Sequence, residues 1–191
     1  CGKSAILLYG VFGTGKTTLA KMLPNHIEFG KTQEELVWPE EFIGCQQGFN
    51  GPQVMARIDA ILTKSTLNVS GLHYIILDEV DNLTKQAQQS LKSALNTTRS
   101  VFILTTNNVS QLDKGLLDRC ILVEMNAATP DAYLGIAQSI ANDEGVAVSR
   151  DELLPTIQAA NGSFRNLFHN VSRLARRKSQ ITNCVFKKGG L

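Results

Sequence analysis

The chain lacks a cysteine framework. Its four cysteines, Cys1, Cys45, Cys120 and Cys184, are scattered over 191 residues with no C-x-x-C pair. That spacing speaks against a disulfide scaffold or a zinc site and fits a reducing, cytoplasmic setting. No apolar run approaches the ~18 residues that a membrane span needs, so no membrane partner is expected. No charged-then-apolar leader with a cleavage site opens the sequence. Charge of one sign is also missing: 19 Lys+Arg stand against 17 Asp+Glu, a net +2. Attraction of nucleic acid over the whole surface is thereby excluded, and any such contact must come from a local patch. No internal repeat is seen. What remains is an ordinary globular balance, 43% hydrophobic and 19% charged, which excludes disorder, collagen and coiled coil. The length allows one domain, or one with a small appendage.

Short apolar runs alternate with helical patterns. Ala5-Ile6-Leu7-Leu8-Tyr9 reads as a strand buried on both faces. A helix is expected from Lys16 to Leu23, stopped by Pro24. Residues 25–50 carry little pattern. Asn50-Gly51-Pro52 is a helix start, followed by Val54, Ile58, Ile61 and Leu62 at helical spacing. Tyr74–Leu77 is a second buried strand, Ala87 to Leu95 a helix, Val101–Thr106 a third strand and Cys120–Val123 a fourth. Alternation of this kind implies parallel pairing in a three-layer α/β sandwich. After Met125 the pattern becomes helical. A helix is expected from Thr129-Pro130 to about Asn142, a capping box at Ser149 and Glu152, and a helix from Ser163 to about Arg177. The expected division is a core over 1–125, a helical lid over 126–180 and a tail over 181–191.

Gly10-Val11-Phe12-Gly13-Thr14-Gly15-Lys16-Thr17 matches G-x-x-x-x-G-K-[ST] in full. The glycines let successive N–H groups face an anion, and the following helix aims its positive end at it. Lys16 reaches the β- and γ-phosphates and the Thr17 hydroxyl binds Mg²⁺. The expected nucleotide-binding set is residues 10–17 with Thr18. Strand Tyr74–Leu77 delivers Asp78 to the Mg²⁺ shell, and Glu79 beside it is placed to activate water. A GTPase would need an N-K-x-D base-reading motif, and none is present. Asn107 closes the third strand, where ligands of doubly wound sheets sit. It is read as holding the lytic water or the γ-phosphate, the alternative being a turn-forming Asn pair.

These residues resemble the AAA+ family and are most similar to the ATPase subunits of sliding-clamp loaders. Ile75 to Thr84 looks like the clamp-loader Walker B segment with its continuation, and Phe102 to Asn108 like sensor 1, with Asn107 in the sensor role. Leu116-Leu117-Asp118-Arg119-Cys120 looks like the L-x-S-R-C motif with Asp118 in place of Ser. The resemblance implies that Arg119 is an arginine finger acting on ATP in a neighbouring subunit. Gly162-Ser163-Phe164-Arg165-Asn166 resembles sensor 2, which implies that Arg165 touches the γ-phosphate of its own subunit. Read from the residues alone, Arg119 is equally a salt-bridge partner of Asp118, and Arg165 a solvated helix residue.

The fold expected is therefore a P-loop three-layer sandwich with a parallel sheet, an AAA+ core followed by a small helical lid. The resemblance implies Mg²⁺-dependent hydrolysis of ATP by an oligomer of AAA+ subunits. It also implies action on a sliding clamp and primer–template DNA in replication. Helices starting near Pro52 and Thr84 are the candidates for DNA contact. Other AAA+ jobs, a helicase loader, branch-migration motor or protein remodeller, are the alternatives, as is a nucleotide-dependent scaffold with little hydrolysis. The family's segment before the P-loop and its C-terminal collar have no counterpart in these residues. A fragment, or an unusually short relative such as one from a phage or mobile element, is expected. The basic run Arg173, Arg176, Arg177 and Lys178 is read as complementing a helix C-terminus. His26, His73 and His169 are isolated and are given no chemistry, and Trp38 and Phe49 are read as packing residues.

Overall fold

A computed structural model describes residues 4–45, 50–126 and 129–188, with side chains as far as Gln180. Phe49 lies outside the described residues. The chain divides into two compact units. One gathers the residues up to Gly10 with Lys16–Met125, and the other gathers Val11–Gly15 with the chain from Asn126 onward.

The first unit is built on five strands: β1 (Ala5–Tyr9), β2 (Glu41–Gly44), β3 (His73–Asp78), β4 (Ser100–Thr106) and β5 (Cys120–Glu124). Their order is β2-β3-β4-β1-β5 and every pairing is parallel. The apolar runs of β1, β3 and β4 become strands because both faces are covered, whereas Ile121, Leu122 and Val123 of the edge strand β5 stay exposed. Alternate residues Leu7, Ile75, Leu77, Phe102 and Leu104 join one core cluster with Val54, Ile58, Ala87 and Leu91. Those last four belong to α2 (Gly51–Leu62) and α3 (Lys85–Ala94). The opposite face sends Leu8, Ile76 and Ile103 against Ala20 of α1 (Lys16–Thr32). This is the three-layer arrangement that the alternation predicts. Both α2 and α3 are capped: Asn50 accepts from Gln53 N at 3.1 Å and Thr84 from Ala87 N at 3.1 Å.

Two expectations for this unit need correction. The helix does not stop at Pro24; it runs through it to Thr32. Lys16, Ala20, Pro24 and Glu28, four residues apart, are all buried. A stripe at that spacing lies on one helix face. Burial of that stripe outweighs the roughly 3 kcal/mol that an interior proline costs a helix. The turn beyond Pro24 is tied down by Glu28, which is fully buried. Its carboxylate accepts from Ser70 N at 2.9 Å, Ser70 Oγ at 2.5 Å and Tyr74 Oη at 2.7 Å. Burial pushes this carboxyl up, but the Ser70 and Tyr74 hydrogen bonds outweigh it and hold Glu28 below its ordinary value. Burial and the Glu28 carboxylate push the Tyr74 phenol up. The second correction is β2, which the sequence did not announce. It is a four-residue edge strand in which Ile43 alone is buried, too short to show alternation.

The second unit is helical: a 3₁₀ turn (Pro130–Tyr133), α5 (Leu134–Asp143), α6 (Arg150–Ala160) and α7 (Phe164–Lys188). (The one-turn helix α4, Lys114–Leu117, belongs to the first unit.) Tyr133, Ala137, Ala141, Leu153, Ile157, Leu167 and Val171 form its core. The helix expected from Thr129-Pro130 begins instead as that 3₁₀ turn, with the α-helix starting at Leu134. The capping box is present at the start of α6, with Glu152 accepting from Ser149 N at 2.9 Å. Helix α7 outruns its expected end near Arg177 and continues to Lys188.

Candidate nucleotide site

In the first unit the chemistry gathers where β1, β3 and β4 end. Thr17 Oγ1 donates to Asp78 Oδ1 at 2.8 Å. The hydroxyl after the loop and the carboxylate at the strand end are 61 residues apart in sequence, and the parallel sheet makes them neighbours. Thr105 Oγ1 donates to the same Asp78 oxygen at 2.7 Å and accepts from Glu79 N at 2.9 Å. One buried threonine hydroxyl thus fixes both acidic residues. Glu79 has φ 59° and ψ 53°, a left-handed conformation that a non-glycine residue adopts at a cost. Its Oε2 accepts from Asn82 Nδ2 at 3.2 Å. Asp81 Oδ1 accepts from Thr106 Oγ1 at 2.9 Å. Asn107 is half-buried just past β4, at the same end of the sheet.

Lys16 is 6% exposed, and its Nζ donates to Gly10 O at 3.0 Å. Burial pulls its ammonium below the ordinary value, while Asp81, Asp78 and Glu79 oppose that shift. A buried cation facing three carboxylates is arranged to receive polyanionic phosphate oxygens. Burial, with Asp78 behind it, pushes the Cys45 thiol up to about 12, so it is an inert packing residue.

Residues 11–15 of the loop belong to the second unit. Gly13 (φ 77°) and Gly15 (φ 87°) lie in the left-handed region, and a Cβ on Gly13 would collide with the Ser163 side chain. Thr14 Oγ1 donates to Val11 O at 3.0 Å, and Phe164 N donates to Gly13 O at 2.8 Å. The start of α7 is therefore stitched to the loop. A pocket of about 580 Å³ is lined there by Phe12, Gly13, Asn126, Asn161 and Arg165, among others. Arg165 is brought to the loop and is exposed.

Arg119 is not brought to this site. It precedes Cys120, which pairs with Ala5 at the start of β1, whereas Gly10 follows the far end of β1. The four steps from Ala5 to Tyr9 span about 13 Å. Its Nε donates to Asn96 Oδ1 at 3.2 Å and its Nη1 to Gly115 O at 2.7 Å. Among the described residues no ion pair joins it to Asp118. Thr105, Thr106 and Asn82 were the functional residues that motif reading left without a role. The signal that could have found the first two is a pair of threonines ending a buried strand beside an acidic one.

A glycine loop running into a helix, with a carboxylate held against its threonine, defines a P-loop nucleotide-binding protein. Residues 6–126 match the model of the ATPase family associated with various cellular activities (AAA), and the chain belongs to that family. Nucleotide binding comes with that membership. The chain is 27% identical over 186 residues to replication factor C small subunit 2 of Pyrobaculum islandicum, covering 94% of this chain and 56% of that protein. It is 28% identical over 189 residues to replication factor C subunit 5 of Mus musculus, covering 96% and 51%. The chain thus spans about half the length of these relatives. Among solved structures it resembles a RuvB variant of Thermotoga maritima, with TM-score 0.61 and 22% identity over 95% of this chain and 57% of that one. It also resembles a DNA polymerase III gamma subunit-related protein from the same organism, with TM-score 0.59 and 16% identity over 87% and 52%. These two likenesses speak to the fold alone. No helix among the described residues is long and apolar enough to cross a membrane.

Proposed function

We propose that this chain is the ATP-hydrolysing part of a clamp-loader-like AAA subunit acting in DNA replication in the cytoplasm. The observation that carries the reading is the hydrogen-bonded run Thr17–Asp78–Thr105–Glu79. It holds Thr17, Asp78 and Glu79 on one frame, which supports reading Asp78 as the metal carboxylate and Glu79 as the catalytic one. Thr17 and Asp78 offer a hydroxyl and a carboxylate oxygen, hard donors suited to Mg²⁺, which takes its remaining positions from phosphate and water. When bound there, Mg²⁺ would neutralise charge on the phosphate oxygens. Residues 10–18 hold the triphosphate, with Lys16 as the buried cation. Glu79 accepts the proton of the attacking water, and Asn107 orients that water. Arg165 contacts the γ-phosphate from the start of α7. Arg119, about a strand's length from its own loop, serves the site of a neighbouring AAA subunit. An arginine supplied this way is worth about 10³–10⁵ in rate.

The names of the relatives support a replication role; the partners proposed are a sliding clamp and primer–template DNA. Turnover of the longer natural protein at several concentrations, with and without primed DNA, tests the reading. A rate that climbs faster than linearly with concentration, and again with primed DNA, is expected. A rate indifferent to DNA would remove the replication reading. No turnover at any concentration would remove hydrolysis.

A further inference from the structure

The net charge of +2 hides a segregation. From Leu153 to Leu191 the sequence has seven Lys or Arg and no Asp or Glu. Most of that stretch is α7. A groove of about 470 Å³ runs along this helix within the second unit, lined by Arg165, Phe168, His169, Ser172, Arg173 and Arg177, with Arg176 and Gln180. No acidic side chain lines it.

Not every cation here has the same freedom. Lys178 is paired with Glu152 at 2.7 Å and Arg176 approaches Glu144 at 3.7 Å. Arg173 and Arg177 make no ion pair among the described residues. A basic run at a helix C-terminus commonly complements the dipole, but His169, Arg173 and Arg177 stand one turn apart and all line this groove. They form a ladder with steps of about 6 Å. Phe168, 60% exposed, stands beside it, an apolar ring in a cationic setting with solvent as its cover.

We infer that this face of α7 is a binding site for the sugar–phosphate backbone of single-stranded nucleic acid. Regularly spaced guanidinium forks suit successive phosphates, and a stacked ring suits a base of any identity. Contacts made to phosphates and to one stacked base leave the site indifferent to sequence. Because it stands on the charge and shape of one helix, the inference does not rest on the clamp-loading reading.

The test uses the longer natural protein and a fluorescein-labelled 20-mer of thymidylate, without nucleotide, across a salt series. The double variant Arg173→Ala/Arg177→Ala is expected to weaken binding at least tenfold. It should also flatten the log–log salt slope by about 1.4, the equivalent of two phosphate contacts. Arg173→Lys/Arg177→Lys should keep most of the slope. Phe168→Ala should weaken binding while leaving the slope unchanged. ATP turnover without DNA should stay at its wild-type value in the double variant, so loss of oligonucleotide binding is distinguishable from failure of the ATPase reading. Photocrosslinking of a 4-thiothymidine oligonucleotide to the wild-type protein should label the peptide that carries Phe168. An unchanged affinity and slope in the double variant would overturn the inference. So would crosslinks confined to other peptides, or displacement of the oligonucleotide by polyglutamate of equal charge at equal concentration.

Discussion

The two units hold their functional residues in opposite ways. In the sheet unit, Asp78, Glu79 and Asp81 are each tied to the strand ends by a threonine or asparagine side chain, at 2.7–3.2 Å. In the helical unit, Arg165 is exposed and sits on the first turn of α7, with only backbone stitching Gly13 to Phe164. The first arrangement is organised by side-chain hydrogen bonds, and in the second Arg165 stands at the surface. Preorganised groups act on the rate of a reaction, whereas exposed cations act mainly on binding.

Breaking the organised side should give the largest effect. Glu79→Gln keeps the shape and removes the proposed base, so ATP turnover should fall by about 10²–10⁴ while nucleotide affinity holds. Steady-state turnover and fluorescent-nucleotide titration would separate the two. Arg165→Ala tests the other side. Nucleotide affinity should drop by about 10–100-fold, the worth of about 1.5–3 kcal/mol in charge-assisted contacts, with an unchanged melting temperature. If both affinity and melting shifted, the arginine would be part of the fold, and the contrast would fail. Thr105→Val sharpens the contrast within the sheet unit. It strips the donor from Asp78 and leaves Glu79 N unpaired, so stability should fall by about 1–3 kcal/mol in urea unfolding. The apparent Mg²⁺ affinity of turnover should fall with it.

The smallest effect is expected at the capping box of α6. Hydrogen bonds from Lys178 and Ser149 hold Glu152 at about 2, down from the ordinary 4.5. A depressed carboxyl contributes its full stabilisation above 4.5 and loses it as pH falls toward 2. Over that window wild-type thermal stability should decline more than that of Glu152→Gln, and the two should converge near pH 2.

What was legible in the sequence follows the same divide. The loop, Asp78 and Glu79 were readable because fixed spacing and buried strands leave few alternatives. The strands themselves were readable as unbroken apolar runs. Pro24 misled because the helix stop it signals is local, while burial of Glu28 with Ser70 and Tyr74 is a contact across more than 40 residues. The threonine ties of Thr105 and Thr106 were invisible for a similar reason: a strand-ending threonine has no meaning until the neighbouring strand is known. Strand β2 is too short to carry a period. The basic face of α7 looked like ordinary dipole complementation until the groove, lined by cations and an exposed ring, gave it a direction.

The central proposal is that catalysis is shared: carboxylates fixed in one chain, and an arginine lent by the next. Two variants test it directly. On the proposed roles, Glu79→Gln lacks the base but still offers Arg119, and Arg119→Ala lacks the finger but keeps Glu79. Mixed under conditions where the wild-type protein alone turns over ATP, they should recover turnover that neither shows separately. A mixture that stays inactive at every ratio would contradict the sharing of Arg119 between neighbours.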